Sequence, residues 1–74
     1  MKIRKFDLYI YPVSIIKKAV LDYSHVAKIV VTPKKKHTVC HFLWCKADEE
    51  RTVDEFSNYL IDLISVRGNA HDRS

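Results

Sequence analysis

Residues 52–68 read TVDEFSNYLIDLISVRG, the one segment in which a helix start, an apolar period and a helix stop occur together. Thr52 and Glu55 have capping-box spacing: the hydroxyl can accept from the Glu55 backbone N–H, and that carboxylate can reach back to the N–H of Thr52. Asp54 and Glu55 put negative charge in the first turn, against the positive end of the helix dipole. Val53, Phe56, Leu60, Leu63 and Ile64 recur at spacings of three and four, widened by Tyr59 and Val66, which makes an amphipathic stripe. Arg67 falls in the last turn, and Gly68, the single glycine, is able to end a helix in the left-handed conformation. A stripe of that width must be buried, so the remainder of the chain has to supply its cover.

Upstream, FDLYIY at residues 6–11 alternates, which predicts a half-buried strand with Phe6, Leu8 and Ile10 inward and Asp7, Tyr9 and Tyr11 outward. The MKIRK before it reads as a basic lead-in. Pro12 ends the strand, and Ser14 suits a cap for a helix over residues 15–24 with Ile16, Ala19, Val20 and Tyr23 inside. Residues 26–32 are rich in β-branched side chains and predict a second strand, closed by Pro33 and the turn KKKH. Residues 38–46 form the return strand of a hairpin, with Cys40, Phe42 and Trp44 inward and Val39, His41, Leu43 and Cys45 outward. ADEER, residues 47–51, is an acidic connection into the capping box. The reading is one domain over residues 1–68 and a flexible tail over 69–74.

The order β-α-β-β-α predicts an α+β fold. A crossover from the first strand to the second, with the return strand between them, gives a three-stranded antiparallel sheet in the order 1-3-2 with both helices on one face. This is a ferredoxin-like plan truncated by its fourth strand. The predicted core is Phe6, Leu8, Ile10, Ile16, Val20, Ile29, Val31, Cys40, Phe42, Trp44, Phe56, Leu60 and Leu63.

At 74 residues there is room for one modest core. The 47% hydrophobic and 30% charged composition is that of a folded chain rather than a disordered one. Apolar runs such as VCHFLWC fall far short of the roughly 20 residues of a membrane helix, and the N-terminus lacks a leader pattern. A soluble, cytoplasmic protein is expected, with no membrane partner. Cys40 and Cys45, five apart in the predicted return strand, point to opposite faces about 16 Å apart and cannot bond to each other, and free thiols favour a reducing compartment. The net charge of +4 hides a polarity: residues 1–47 carry ten Lys/Arg against Asp7 and Asp22, a balance of +8, while residues 48–74 carry three Arg against seven acids, a balance of −4. Such a field steers charged partners.

His37, His41 and Cys45 share a predicted strand face at spacings of four. Four residues of strand is about 13 Å, too far for ligands that sit about 2.0–2.3 Å from one zinc ion, so no metal site is expected. Cys40 and Cys45 lack a local base that would activate a thiolate, beyond His41. No phosphate-cradling glycine loop and no hydrolase or metalloprotease motif occurs, which predicts a chain that is not an enzyme and takes no cofactor. Lys34, Lys35 and Lys36, with Lys2, Arg4 and Lys5, are suited to phosphates, and Tyr9, Tyr11 and His41 to stacking on bases; a nucleic-acid-binding domain is therefore the alternative function.

Covering one face only leaves Tyr9, Tyr11, Val30, Val39, His41 and Leu43 on the other, an apolar and aromatic set, and leaves the first strand as an unpaired edge. Both features predict partner binding: a peptide or protein partner, or a second copy in a homodimer. LIDLISVR, residues 60–67, with the preceding EFSNY, resembles the end of the His-Xaa-Ser system protein HxsD, where a helix of the form LLNDYxLRE closes a small α/β protein. YPVSIIKKAVLDYSHVAKIVV is similar to that family's early helix and strand. Leu60, Ile61, Val66 and Arg67 agree with the motif, whereas Asp62, Leu63, Ile64 and Gly68 stand where it has Asn, Asp, Tyr and Glu. The resemblance implies a small non-catalytic component of a peptide-maturation system that works beside a radical SAM enzyme, and it adds Arg67 to the partner-binding residues.

Overall fold

The computed structural model describes residues 2–72, with side chains over residues 2–65. The elements run β1 (Lys2–Asp7), α1 (Val13–Asp22), β2 (Ala27–Pro33), β3 (His37–Cys45) and α2 (Glu49–Asp72). The fold is α+β, and the three strands make one antiparallel sheet in the order β1-β3-β2, as the sequence predicts.

The first strand lies earlier than expected. KIRKFD is the strand, and LYIY is not. The cause is Asp7: its carboxylate accepts from the Tyr9 N–H at 2.8 Å, and its carbonyl accepts from the N–H groups of Ile10 at 3.1 Å and Tyr11 at 2.8 Å. An Asp that bonds the backbone two residues on turns the chain. The alternation of FDLYIY therefore ends after its second residue, and Ile10, predicted inward, is 58% exposed.

α1 begins at Val13, not Ile15. Pro12 is its N-cap and no side-chain cap bond forms; the Pro12 carbonyl instead accepts from Ile15 and Ile16 at 3.0 and 3.1 Å. The proline ring pre-sets a backbone angle that suits a helix start, so the predicted Ser14 cap is not needed. α2 begins three residues before Thr52. Asp48 takes the capping position, its carboxylate accepting from the Arg51 N–H at 2.9 Å, with Glu49 and Glu50 in the first turn. Thr52, buried, donates its hydroxyl to the Asp48 carbonyl at 2.8 Å inside the helix. At the other end the helix runs through Gly68 to Asp72 and takes in residues 69–72, which the sequence reading assigned to a tail. One interior glycine costs a helix about 1 kcal/mol, and no proline follows Gly68 to stop it.

Both helices bury into one face of the sheet. Ile15, Ile16 and Ala19 from α1 and Val53, Phe56 and Leu60 from α2 form one cluster with Phe6, Ala27, Ile29, Cys40 and Phe42. Phe56 is its hub, with ring centroids 5.3 Å from Tyr23, 5.4 Å from Phe42 and 6.1 Å from Phe6. Each such ring stabilises the fold by about 1.5–3 kcal/mol through burial.

β3 is not regular. Ala27 pairs with Cys45 and Lys28 with Trp44, but Ile29 pairs with Phe42, so Leu43 is an extra residue in the ladder. This bulge reverses the in-out alternation beyond it. Cys45 turns to the helix side, where it packs against the core, and Trp44 to the uncovered side, where it is 52% exposed. Trp44 was predicted in the core and Cys45 outside; the bulge exchanges them.

Candidate partner-binding face and edge

Cross-strand register fixes what the uncovered face displays. Ile3 lies beside His41 and Val30, Lys5 beside Val39 and Thr32, and Trp44 beside Lys28. Ile3, Val30, Leu43 and Trp44 are 56%, 41%, 44% and 52% exposed, a high degree for large apolar side chains on one surface. His41 is half-buried among them, and Val39, at the centre of the middle strand, is buried although no helix covers it. Lys5 and Lys28 border the patch with charge. The three residues predicted for this face from β3, Val39, His41 and Leu43, are brought together there.

Tyr9 and Tyr11 are not on the face. Tyr9 stands in the turn after β1 and is almost wholly exposed, while Tyr11 folds back to put its ring against Phe6, centroids 5.1 Å apart in an edge-on arrangement. The Arg67 side chain lies outside the described residues. Sequence reasoning missed Ile3, because MKIRK read as a lead-in, and Trp44, because nothing in VCHFLWC marks the bulge. The alternation of Ile3, Lys5 and Asp7 against Lys2, Arg4 and Phe6 was the signal available for the former.

The outer edge of β1 has no strand beside it among the described residues. Beyond Asp7 the β1–β3 pairing runs on into the basic turn: the Leu8 N–H donates to the Lys36 carbonyl at 3.1 Å, and Leu8, Tyr9, Lys35 and Lys36 line an open cleft of about 400 Å³ at that end of the sheet. Lys34, Lys35 and Lys36 are all exposed, and the Lys34 N–H donates to the His37 carbonyl at 2.8 Å to close the hairpin. Arg4 reaches the helix side, where it meets Asp54 of α2 at 3.4 Å.

The bulge also parts the residues weighed for a metal: His37 and His41 keep to the open side and Cys45 leaves it. No group of three His, Cys, Asp or Glu placed to hold a metal ion occurs among the described residues. Burial pushes the Cys40 thiol up to about 11, so it is protonated at neutral pH. Burial, and then the Glu49 carboxylate, also raise the Cys45 thiol. Neither environment favours a thiolate nucleophile. No helix among the described residues is long and apolar enough to cross a membrane.

No protein-family model, curated protein or solved structure matches the chain.

Proposed function

We propose that this chain is a small non-catalytic adaptor that binds an extended peptide or a partner protein along the β1 edge and the adjoining open face. The supporting observation is the conjunction of an edge strand with no strand beside it among the described residues and an uncovered apolar surface that starts on that strand at Ile3 and runs across the sheet through Leu43, Trp44 and Val30. An added strand would satisfy the outward backbone groups of β1, and its side chains on one side would continue the apolar patch. The likeness of LIDLISVR to the HxsD helix supports a place for the adaptor in a peptide-modification system, beside a radical SAM enzyme.

Two measurements test this. Backbone amide NMR shifts, recorded while extended peptides are titrated in, should move for residues 2–7 and for 39, 41 and 43. Unchanged amides there for every peptide and every oligomer tried would sink the edge-binding reading. Affinity capture of the tagged chain from its own cells should bring down a radical SAM enzyme; its absence removes the peptide-modification setting and leaves the adaptor.

A second reading, a single-stranded nucleic-acid binder, draws on Tyr9, exposed beside Lys35 and Lys36 at the cleft. It predicts binding that weakens steeply with salt and disappears when Lys34, Lys35 and Lys36 are all replaced.

A further inference from the structure

We infer that the β1 edge selects an acidic extended segment of another protein, about eight residues long, whose last acidic side chain seats in the cleft between the Leu8 turn and Lys35–Lys36. This rests on the adaptor reading above and specifies its ligand. Three of the six residues of β1 are the cations Lys2, Arg4 and Lys5, so a strand laid beside it meets positive charge on both sides of the sheet. The helix side presents Lys2 and Arg4, and the open side presents Lys5 next to Ile3. Lys2, Lys5, Lys35 and Lys36 are exposed and have no ion-pair partner among the described residues. The one acid of the strand, Asp7, has a carboxylate oxygen occupied by the Tyr9 N–H.

The six residues of β1 span about 20 Å at roughly 3.3 Å each, and the cleft opens directly beyond Asp7. A segment that follows the strand and continues for two residues ends level with the turn, on the far side of Leu8 from Lys36, where a long acidic side chain would cross Leu8 to meet the lysines. The cleft is lined by Leu8 and Tyr9 together with Lys35 and Lys36, a mixed apolar and cationic lining that suits a carboxylate on an aliphatic stem. Ile3, as the apolar position among these cations, calls for an apolar residue opposite it. The chemistry recognised is therefore alternating acidic and apolar side chains, with backbone N–H and C=O groups free to pair.

The test uses blocked eight-residue peptides: alternating Glu and Val, alternating Lys and Val, alternating Ser and Val, and the Glu/Val peptide N-methylated at alternate amides. Titrated into the full chain, the Glu/Val peptide should shift the amides of residues 2–8 and 35–36. It should bind roughly tenfold or more tightly than the Ser/Val peptide, with no binding of the Lys/Val peptide. N-methylation should remove binding, because the ladder cannot form. Joint replacement Lys35→Glu and Lys36→Glu, in an exposed turn that leaves the core untouched, should narrow the preference for Glu/Val over Ser/Val, with Lys2, Arg4 and Lys5 still favouring the acidic peptide. Ser/Val or Lys/Val binding as tightly as Glu/Val, with shifts in residues 2–7, overturns the acidic selection and leaves the adaptor reading intact. No shift in residues 2–7 with any peptide overturns both. A single-stranded oligonucleotide that moves the same amides at lower concentration than Glu/Val overturns the peptide assignment in favour of a polyanion site.

Discussion

Thr38 is wholly buried on the helix side of the sheet, between Phe6 of β1 and Pro33 of β2, and its hydroxyl has no hydrogen-bond partner among the described residues. An unsatisfied buried hydroxyl costs about 1–3 kcal/mol, and valine fills nearly the same shape without it. Thr38→Val should therefore raise stability by about 1 kcal/mol, a shift of roughly 4–8 °C in midpoint for a domain of this size. A lower midpoint in thermal and urea melts would mean that the hydroxyl is satisfied. Tyr59 makes the opposite case, a hydrogen bond that links the helices on the surface. Its hydroxyl donates to the Asp22 carboxylate, which Lys18 also holds at 3.1 Å. The Tyr59 bond first, and Lys18 second, hold Asp22 below its ordinary 3.8, while the same bond raises the Tyr59 phenol above 10.0. A carboxyl lowered on folding stabilises above its unfolded value and loses that contribution as pH falls through its folded value. A phenol raised on folding stabilises below 10.0 and loses that contribution as pH rises through its folded value. Tyr59→Phe should thus melt lower than the parent at pH 7, with the gap closing below 3.8 and again above 10.0. A gap that is constant from acid to alkali would show that the ring's packing, not its hydroxyl, carries the difference.

Among the elements, the bulge in β3 is what gives the open face its tryptophan. Because Leu43 is the extra residue, deleting it should leave Ile29 opposite Phe42 and Lys28 opposite Trp44 in an uninterrupted ladder, with the same side chains inside. The pairing of β1 ends at Phe42 and would not be disturbed. Cooperative melting should survive, with Cys40 and Cys45 still slow to react with a thiol reagent, whereas deletion of His41 should carry Phe42 out of the core to the open face, with Leu43 in its place, and lower the midpoint. Fast labelling of Cys45 after removal of Leu43 would show that the bulge is required for the twist that carries Cys45 inward. The same bulge marks where the sequence stopped being readable. Periodicity recovers α2, the hairpin and the strand order, because Phe56, Leu60, Ile29 and Phe42 bury wherever a residue-level pattern says they should. It cannot see an inserted strand residue, since Leu43 and Trp44 are equally apolar and either could face the core. Nor could it separate Phe6–Asp7, where alternation is strand, from Leu8–Tyr11, where it is not: one carboxylate bonded to the Tyr9 N–H decides that. The predicted placement on the open face accordingly holds for Val39, His41 and Leu43 and does not hold for Tyr9 and Tyr11.

For the molecule as a whole, charge would set the proposed peptide binding and a face-to-face dimer against each other. Residues 1–47 carry a balance of +8, ten Lys/Arg against two acids, and the cations that face a partner strand lie in this part. An acidic segment on the β1 edge, as proposed, would be drawn in by that field, and its binding should weaken as salt shortens the Debye length from about 10 Å at 0.1 M to about 3 Å at 1 M. A second copy docking face to face meets the reverse situation. A two-fold contact through Ile3, Val30, Leu43 and Trp44 brings Lys5 and Lys28 of each copy towards those of the other, so like charges oppose it while apolar burial favours it. Screening removes the repulsion and leaves the burial. The dimer fraction in sedimentation equilibrium should accordingly rise between about 0.02 and about 0.5 M salt, and Trp44→Glu should lower it at both. A fraction that falls with salt would place the contact elsewhere, between the basic half of one copy and the acidic α2 of the next. That head-to-tail arrangement would leave the open face free in the dimer and would compete with an acidic peptide for the same lysines.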